Sequence, residues 1–115
     1  LLKQALNIEK EALGGDHRNY AMTLSVLGSL YTETGKLAEA EASLEKALKI
    51  MEKANGKENT LYADILSALA VLRRKQGLTE ETQTLHKESL RIFTERLGAD
   101  HPRTKTVRES LTEKE

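Results

Sequence analysis

The sequence predicts an all-α fold in which about six helices form antiparallel hairpins that stack into a solenoid. Glycine recurs at Gly14, Gly56 and Gly98, in two steps of 42 residues. Apolar residues recur at the same spacing: Leu24, Leu27 and Leu30 against Leu66, Leu69 and Leu72. A fixed period of this length is typical of repeat architectures, in which each unit buries its apolar face against the next. The short turns make consecutive helices antiparallel.

The composition narrows the classes of partner and compartment. The 115 residues are 38% apolar and 31% charged, with a net charge of zero and no cysteine. A balanced charge lacks the basic excess that nucleic acid or an anionic membrane attracts, so we expect neither as a partner. There can be no disulfide and no thiolate metal site. With no signal peptide and no bilayer-length apolar run, we expect an intracellular, cytoplasmic protein.

The first three predicted helices cover about residues 1–13, 18–34 and 37–54. Apolar residues recur along each at helical spacing. In the second they are Leu24, Leu27 and Tyr31, and Gly35 ends that helix. We therefore expect one apolar face on each helix, directed at its neighbours.

The last three predicted helices cover about residues 60–76, 79–97 and 102 onwards. Thr79 is interpreted as an N-cap, with Glu80 and Glu81 in the favourable first turn. Pro102 fits the first turn of the sixth helix, where its missing N–H has no helical partner in any case.

Gly28 lies in the middle of the second predicted helix, where glycine costs about 1 kcal/mol relative to alanine. One period later the residue is Ala70. A small residue at a costly position predicts a close approach between two helices there.

The run Leu24-x-x-Leu27-Gly28-x-x-Tyr31-x-x-x-Gly35 resembles the tetratricopeptide repeat. The 42-residue period and the linker Gly98-Ala99-Asp100-His101-Pro102 are similar to the kinesin light chain-like type. The resemblance implies a right-handed superhelix. It makes residues 1–15 the second helix of a partial repeat, 16–56 and 57–98 full repeats, and 99–115 a C-terminal capping helix. Because no such cap stands at the N-terminal end, we expect a piece of a longer protein, whose uncovered first helix could pair with another copy.

The histidines do not form a catalytic or metal-binding pattern. His17 and His101 each follow an aspartate in the turn that opens a helix, where side chains can bond free backbone groups. His86 and Glu88 are two residues apart and so do not face each other on a helix. No phosphate-binding loop or nucleophile motif is present. We therefore expect no enzyme activity, no cofactor and no metal.

The candidate site is a groove, because the resemblance implies that the first helix of each hairpin lines a concave face. The residues carried over by position are Met22, Ser25, Ser29, Thr32, Glu33, Asp64, Ser67, Val71, Arg74, Lys75, Thr106 and Glu109. The cluster Arg73-Arg74-Lys75 has two interpretations. It either complements the dipole at a helix C-terminus or binds carboxylates of a partner.

The resemblance implies a scaffold that binds a partner protein or peptide on this face. Kinesin light chains and many relatives hold a partner backbone with paired asparagines, but the matching pairs here are Ser25-Val26 and Ser67-Ala68. Two alternatives therefore stay open. The array could be an architectural spacer that uses its convex or edge surfaces, or a regulatory segment of a larger enzyme or ATPase.

Overall fold

The computed structural model describes residues 18–113, and five helices run through them in chain order. They are α1 (Arg18–Glu33), α2 (Leu37–Asn55), α3 (Thr60–Lys75), α4 (Thr79–Leu97) and α5 (Pro102–Glu113). The all-α prediction is confirmed, and each helix lies within about one residue of its predicted bounds. Pro102 is the first residue of α5, as predicted. The predicted helix over residues 1–13 lies outside the described residues.

The turn inside each hairpin is closed by a glycine with positive φ, Gly35 at 85° and Gly77 at 81°. Such a φ is cheap only for glycine. At the first turn, Lys36 N–H donates to the Tyr31 carbonyl at 2.8 Å and Gly35 N–H donates to the Thr32 carbonyl at 3.3 Å. This is the Schellman motif, and the same two bonds recur around Gly77. The repeat in the sequence is therefore also a repeat in backbone geometry.

The turns between hairpins are also built alike, although their side chains differ. Asn59 Oδ1 accepts from Tyr62 N–H at 2.9 Å, and Asn59 Nδ2 donates to the Gly56 carbonyl at 2.7 Å. One period later His101 Nδ1 accepts from Arg103 N–H at 3.1 Å. Each side chain bonds a backbone group that has no partner within its helix. This confirms the interpretation of His101 as part of a helix-opening turn.

The interpretation of Thr79 as an N-cap is wrong. The N-cap of α4 is Leu78, which makes no side-chain capping bond. The N–H of Leu78 closes the preceding glycine turn, while its carbonyl accepts the first helical bond from Thr82 N–H at 3.0 Å. The N-cap therefore lies one residue before the predicted one, and Thr79 is already the first residue of the helix. Glu80 and Glu81 lie in the first turn, as predicted.

The helices pack as stacked hairpins. Helix α1 packs against α2 and α3 against α4, while α2 with α3 and α1 with α3 join the two hairpins. Helix α5 packs against α4. One cluster of buried residues follows this order from α1 to α5, beginning at Tyr20 and ending at Val107. Neighbouring units therefore supply the burial, as in a solenoid.

The predicted close approach at Gly28 is confirmed. A Cβ built on Gly28 would lie 2.5 Å from Leu44 Cγ and 2.8 Å from Leu44 Cδ2. Leu44 is fully buried, so α1 and α2 cross at van der Waals distance only because position 28 has no side chain.

Candidate functional site

The predicted groove residues all lie on α1 and α3, the first helices of the two described hairpins, and on α5. We call the side of the array formed by these residues the inner face. Six of the twelve residues are exposed: Glu33, Val71, Arg74, Lys75, Thr106 and Glu109. Four more are partly exposed: Met22, Ser29, Asp64 and Ser67. The remaining two are buried.

The two buried residues, Ser25 and Thr32, correct the predicted lining. Their exposures are 7% and 2%. The Thr32 hydroxyl donates to the Gly28 carbonyl at 2.9 Å, within the same helix. These side chains belong to the packing of α1, and the accessible part of α1 shifts to neighbouring positions. Val26 is half exposed, and the predicted set does not include it.

Three predicted residues meet at a hollow of about 200 Å³ between α3 and α5. Its lining consists of Asp64, Ser67, Phe93, Arg103, Thr106 and Val107. Phe93 belongs to α4 and is buried, so an aromatic ring forms part of the lining between the two first helices. The hollow is therefore mainly apolar inside and polar along its sides.

Arg103 closes one side of this hollow. Its guanidinium forms an ion pair with Asp64, and its Cζ lies 5.0 Å from the centre of the Phe93 ring, which is cation–π distance. Asp64 therefore has a cationic partner within the chain. The period gave no signal for Arg103, because the residue at the same position of α3 is Leu61.

Ser67, on α3, is bonded to α4 of its own hairpin rather than directed only outward. Its Oγ lies 2.7 Å from Ser89 Oγ, and Ser89 Oγ donates to the Ala63 carbonyl at 3.1 Å. Ser89 is fully buried, so this chain of bonds satisfies its hydroxyl inside the array.

The three consecutive basic residues at the end of α3 separate into two groups. Arg74 and Lys75 are exposed, whereas the Arg73 side chain is 16% exposed. Arg73 donates to Glu41 Oε1 and Glu45 Oε2 on α2, each at 3.1 Å. Only Arg74 and Lys75 are therefore available to a partner on the inner face.

The contacts of Gln76 and Arg73 with α2 also lower the pKa of the Glu41 carboxyl group. Gln76 Nε2 donates to Glu41 Oε1 at 3.2 Å, and Arg73 adds a second bond and a positive charge. These bonds hold the pKa of Glu41 below its ordinary value of 4.5. The cluster joins α2 to α3 across the boundary between the two hairpins.

A second ionic cluster fixes the turn before α3. Arg91 bonds both oxygens of Glu58, at 2.9 and 3.1 Å, and also bonds Glu88 at 2.6 Å. Arg96 Nε donates to the Glu58 carbonyl at 2.6 Å. The hydrogen bonds from Arg91 lower the pKa of both carboxyl groups and raise that of Arg91. The entry to α3, and with it the inner face, is thereby held against α4.

The two described histidines, His86 and His101, are not among the inner-face residues. His86 is buried at 3% exposure, at the position that Leu44 has one period earlier. His101 caps α5, and His17 lies outside the described residues. Across residues 18–113, no three His, Cys, Asp or Glu side chains are grouped so that they could hold a metal ion.

The fold and this face define a helical-hairpin repeat protein. Two family models, both described as tetratricopeptide repeat, match residues 1–53 and 63–103. The chain belongs to the tetratricopeptide repeat family, and its period is that of the kinesin light chain-like type. Repeats of this family generally mediate protein–protein interactions.

No relative among the curated proteins matches the chain. Within the part of the chain that the structure describes, no helix combines the length and apolarity that spanning a bilayer requires.

Proposed function

We propose that this chain is a non-catalytic scaffold segment that holds a peptide or helix of a partner protein against its inner face. The observation that carries the proposal is the hollow between α3 and α5, lined in part by Phe93 of α4, together with the exposed residues of α3. Val71 is 40% exposed, and Arg74 and Lys75 lie one turn further along. An apolar contact next to two cations is suited to a partner segment that carries both apolar and acidic side chains.

The burial of Ser25 and the hydrogen bond of Ser67 favour recognition of a partner's side chains rather than its backbone. Ser25 is buried and Ser67 is bonded to Ser89, so neither matches the paired asparagines that hold a partner backbone in related repeats. Affinity would come from apolar contact at Val71 and Met22, and selectivity from Arg74, Lys75 and Glu33.

Charge reversal tests this proposal. We expect Arg74→Glu with Lys75→Glu to weaken binding of the partner that co-purifies with the full-length protein, most strongly at low salt, where exposed charges are least screened. Thermal stability should change little, because both side chains are exposed. The matched control is Lys53→Glu, which reverses a charge in the last turn of α2, a second helix. Unchanged affinity in the double variant would remove the two cations from the proposal.

The second candidate is an architectural spacer that contacts its neighbours through the convex or edge surfaces. It is favoured by Thr32 and Ser67, whose hydroxyl groups are satisfied within the array. A photo-crosslinking residue distinguishes the candidates when it replaces Val71 on the inner face or exposed Ala42 on α2. Crosslinks to the purified partner from position 71 alone support the scaffold, and crosslinks from position 42 alone support the spacer.

A further inference from the structure

Two adjacent hollows lie at the beginning of α4, away from the inner face, and both include Glu80 and Glu81. One is about 360 Å³ and is also lined by Leu69, Arg73, Thr84 and Leu85. The other is about 340 Å³ and is also lined by Gly77, Leu78 and Thr79. We call Leu78, Glu80 and Glu81, with Leu69 and Leu85 beneath them, the acidic corner. Two carboxylates thus stand between two apolar surfaces.

Among residues 18–113, the carboxylates of the acidic corner have no cationic partner. Within the described residues neither Glu80 nor Glu81 forms an ion pair, and both are exposed. Arg73 lines the same hollow, but its guanidinium bonds Glu41, Glu45 and Gln76. The corner therefore presents unneutralised negative charge.

The dipole of α4 explains part of this arrangement. Carboxylates in the first turn of a helix are stabilised by the partial positive charge there. That effect does not require an apolar side chain beside them, yet Leu78 is 42% exposed. Apolar surface rimmed by charged residues is characteristic of interaction sites, and here Leu78 and the hollow lined by Leu69 and Leu85 share the same two carboxylates.

The first hairpin provides a comparison, because it has the same turn with different side chains at three of these positions. One period before Leu78, Glu80 and Leu85 stand Lys36, Ala38 and Ser43. The backbone bonds of the two turns are the same, so the fold requires neither the paired carboxylates nor the exposed leucine. Of the two described hairpins, only the second combines them.

We propose that the acidic corner docks a basic amphipathic helix from a partner protein. A Lys or Arg of that helix would contact Glu80 or Glu81, each of which lines both hollows. Apolar side chains three or four residues to either side would contact Leu78 and the Leu69–Leu85 floor, since residues at that spacing share one face of a helix. Charge complementarity selects a basic partner, and the leucines supply contact area. This surface is separate from the inner face and could be occupied at the same time.

The test uses the 115-residue chain and a synthetic probe. The probe is a 14-residue amphipathic peptide with a leucine stripe and a lysine face, and its counterpart carries glutamate for lysine. We expect NMR shifts confined to residues 69–85 with the lysine peptide and none with the glutamate peptide. The variant Leu78→Lys with Glu80→Ala introduces the residue types found at Lys36 and Ala38 of the first hairpin. Because the two turns have the same backbone bonds, the variant should fold. It should weaken binding about tenfold, because one charge contact and one apolar contact are lost and the new lysine repels the basic peptide.

The matched control, Glu39→Gln with Asp100→Asn, removes two exposed carboxylates that belong to neither surface and should change the affinity by less than about twofold. Three results would overturn the proposal. They are shifts centred on residues 22–33 and 106–109, wild-type affinity in the Leu78/Glu80 variant, or an equal loss in the control, which would indicate non-specific charge attraction.

Discussion

Replacing Gly28 by alanine should destabilise the protein, although alanine is the better helix former. On propensity alone the change would stabilise α1 by about 1 kcal/mol. The new Cβ would lie 2.5 Å from Leu44 Cγ, at least about 1 Å inside the optimal carbon–carbon separation. Leu44 is fully buried and cannot rotate into solvent, so either it leaves its rotamer or the helices separate. Such overpacking costs about 1–3 kcal/mol, which exceeds the propensity gain over most of its range.

A double-mutant cycle separates the two effects. Leu44→Ala alone should cost about 2–5 kcal/mol, as a buried truncation. With that side chain shortened, Gly28→Ala has room and should stabilise by about 1 kcal/mol, so its effect changes sign. The assay is urea unfolding of the four proteins, monitored by circular dichroism. Ala42→Gly, at an exposed position of α2, measures propensity alone in the same array and should cost about 1 kcal/mol. The same effect of Gly28→Ala in both backgrounds would refute the close approach.

Three further predictions concern stability. Leu69→Ala and Leu27→Ala should each cost about 2–5 kcal/mol in urea unfolding, because both side chains are buried. Thr104→Val should be neutral or stabilising by up to about 1 kcal/mol, since the fully buried Thr104 hydroxyl has no hydrogen-bond partner within residues 18–113. Glu41→Gln should cost up to about 1 kcal/mol at pH 7, because Arg73 and the Glu41 carboxylate form a partly exposed pair. The pKa of Glu41 is lowered in the folded state, so its contribution is complete above the unfolded pKa near 4.5 and disappears as pH falls through the folded value.

The controls for these predictions are in the same chain. Glu33→Gln, at a carboxyl without an ion pair in the described part of the chain, should not reproduce the pH dependence of Glu41→Gln. A constant difference between wild type and Glu41→Gln from pH 7 to pH 3 would contradict the lowered pKa. A cost above about 1 kcal/mol for Thr104→Val would mean that its hydroxyl is bonded after all.

The helices could be predicted from the sequence because their signals are local. Glycines end the helices, the leucine spacing marks the buried face, and Gly28 in the middle of a helix indicates a close approach between helices. The error at Thr79 has the same local origin, since the glycine turn before it fixes Leu78 as the cap. The backbone geometry of the glycine turn outweighs the preference of Thr79 for the N-cap position.

The lining of the inner face was only partly predictable. The position of a residue in the repeat predicts which face of its helix is directed inward. It does not predict which side chains on that face are already hydrogen-bonded to neighbouring residues. Thr32 is bonded within α1, and Ser67 is bonded to Ser89 across the hairpin. Arg103 takes the position of Leu61, so no periodic signal indicated its ion pair with Asp64. Contacts of this kind are specific to one repeat and depend on the three-dimensional packing.

Methyl–methyl NOE spectroscopy on the 115-residue chain tests most directly whether burial comes from sequential neighbours. We predict NOEs that join α1 to α2 and α3, and α5 to α4, following the order in which these helices pack. NOEs between Leu24 on α1 and Val107 on α5 would place both ends of the chain around one shared core. That result would contradict the solenoid and, with it, the inner face as a binding surface.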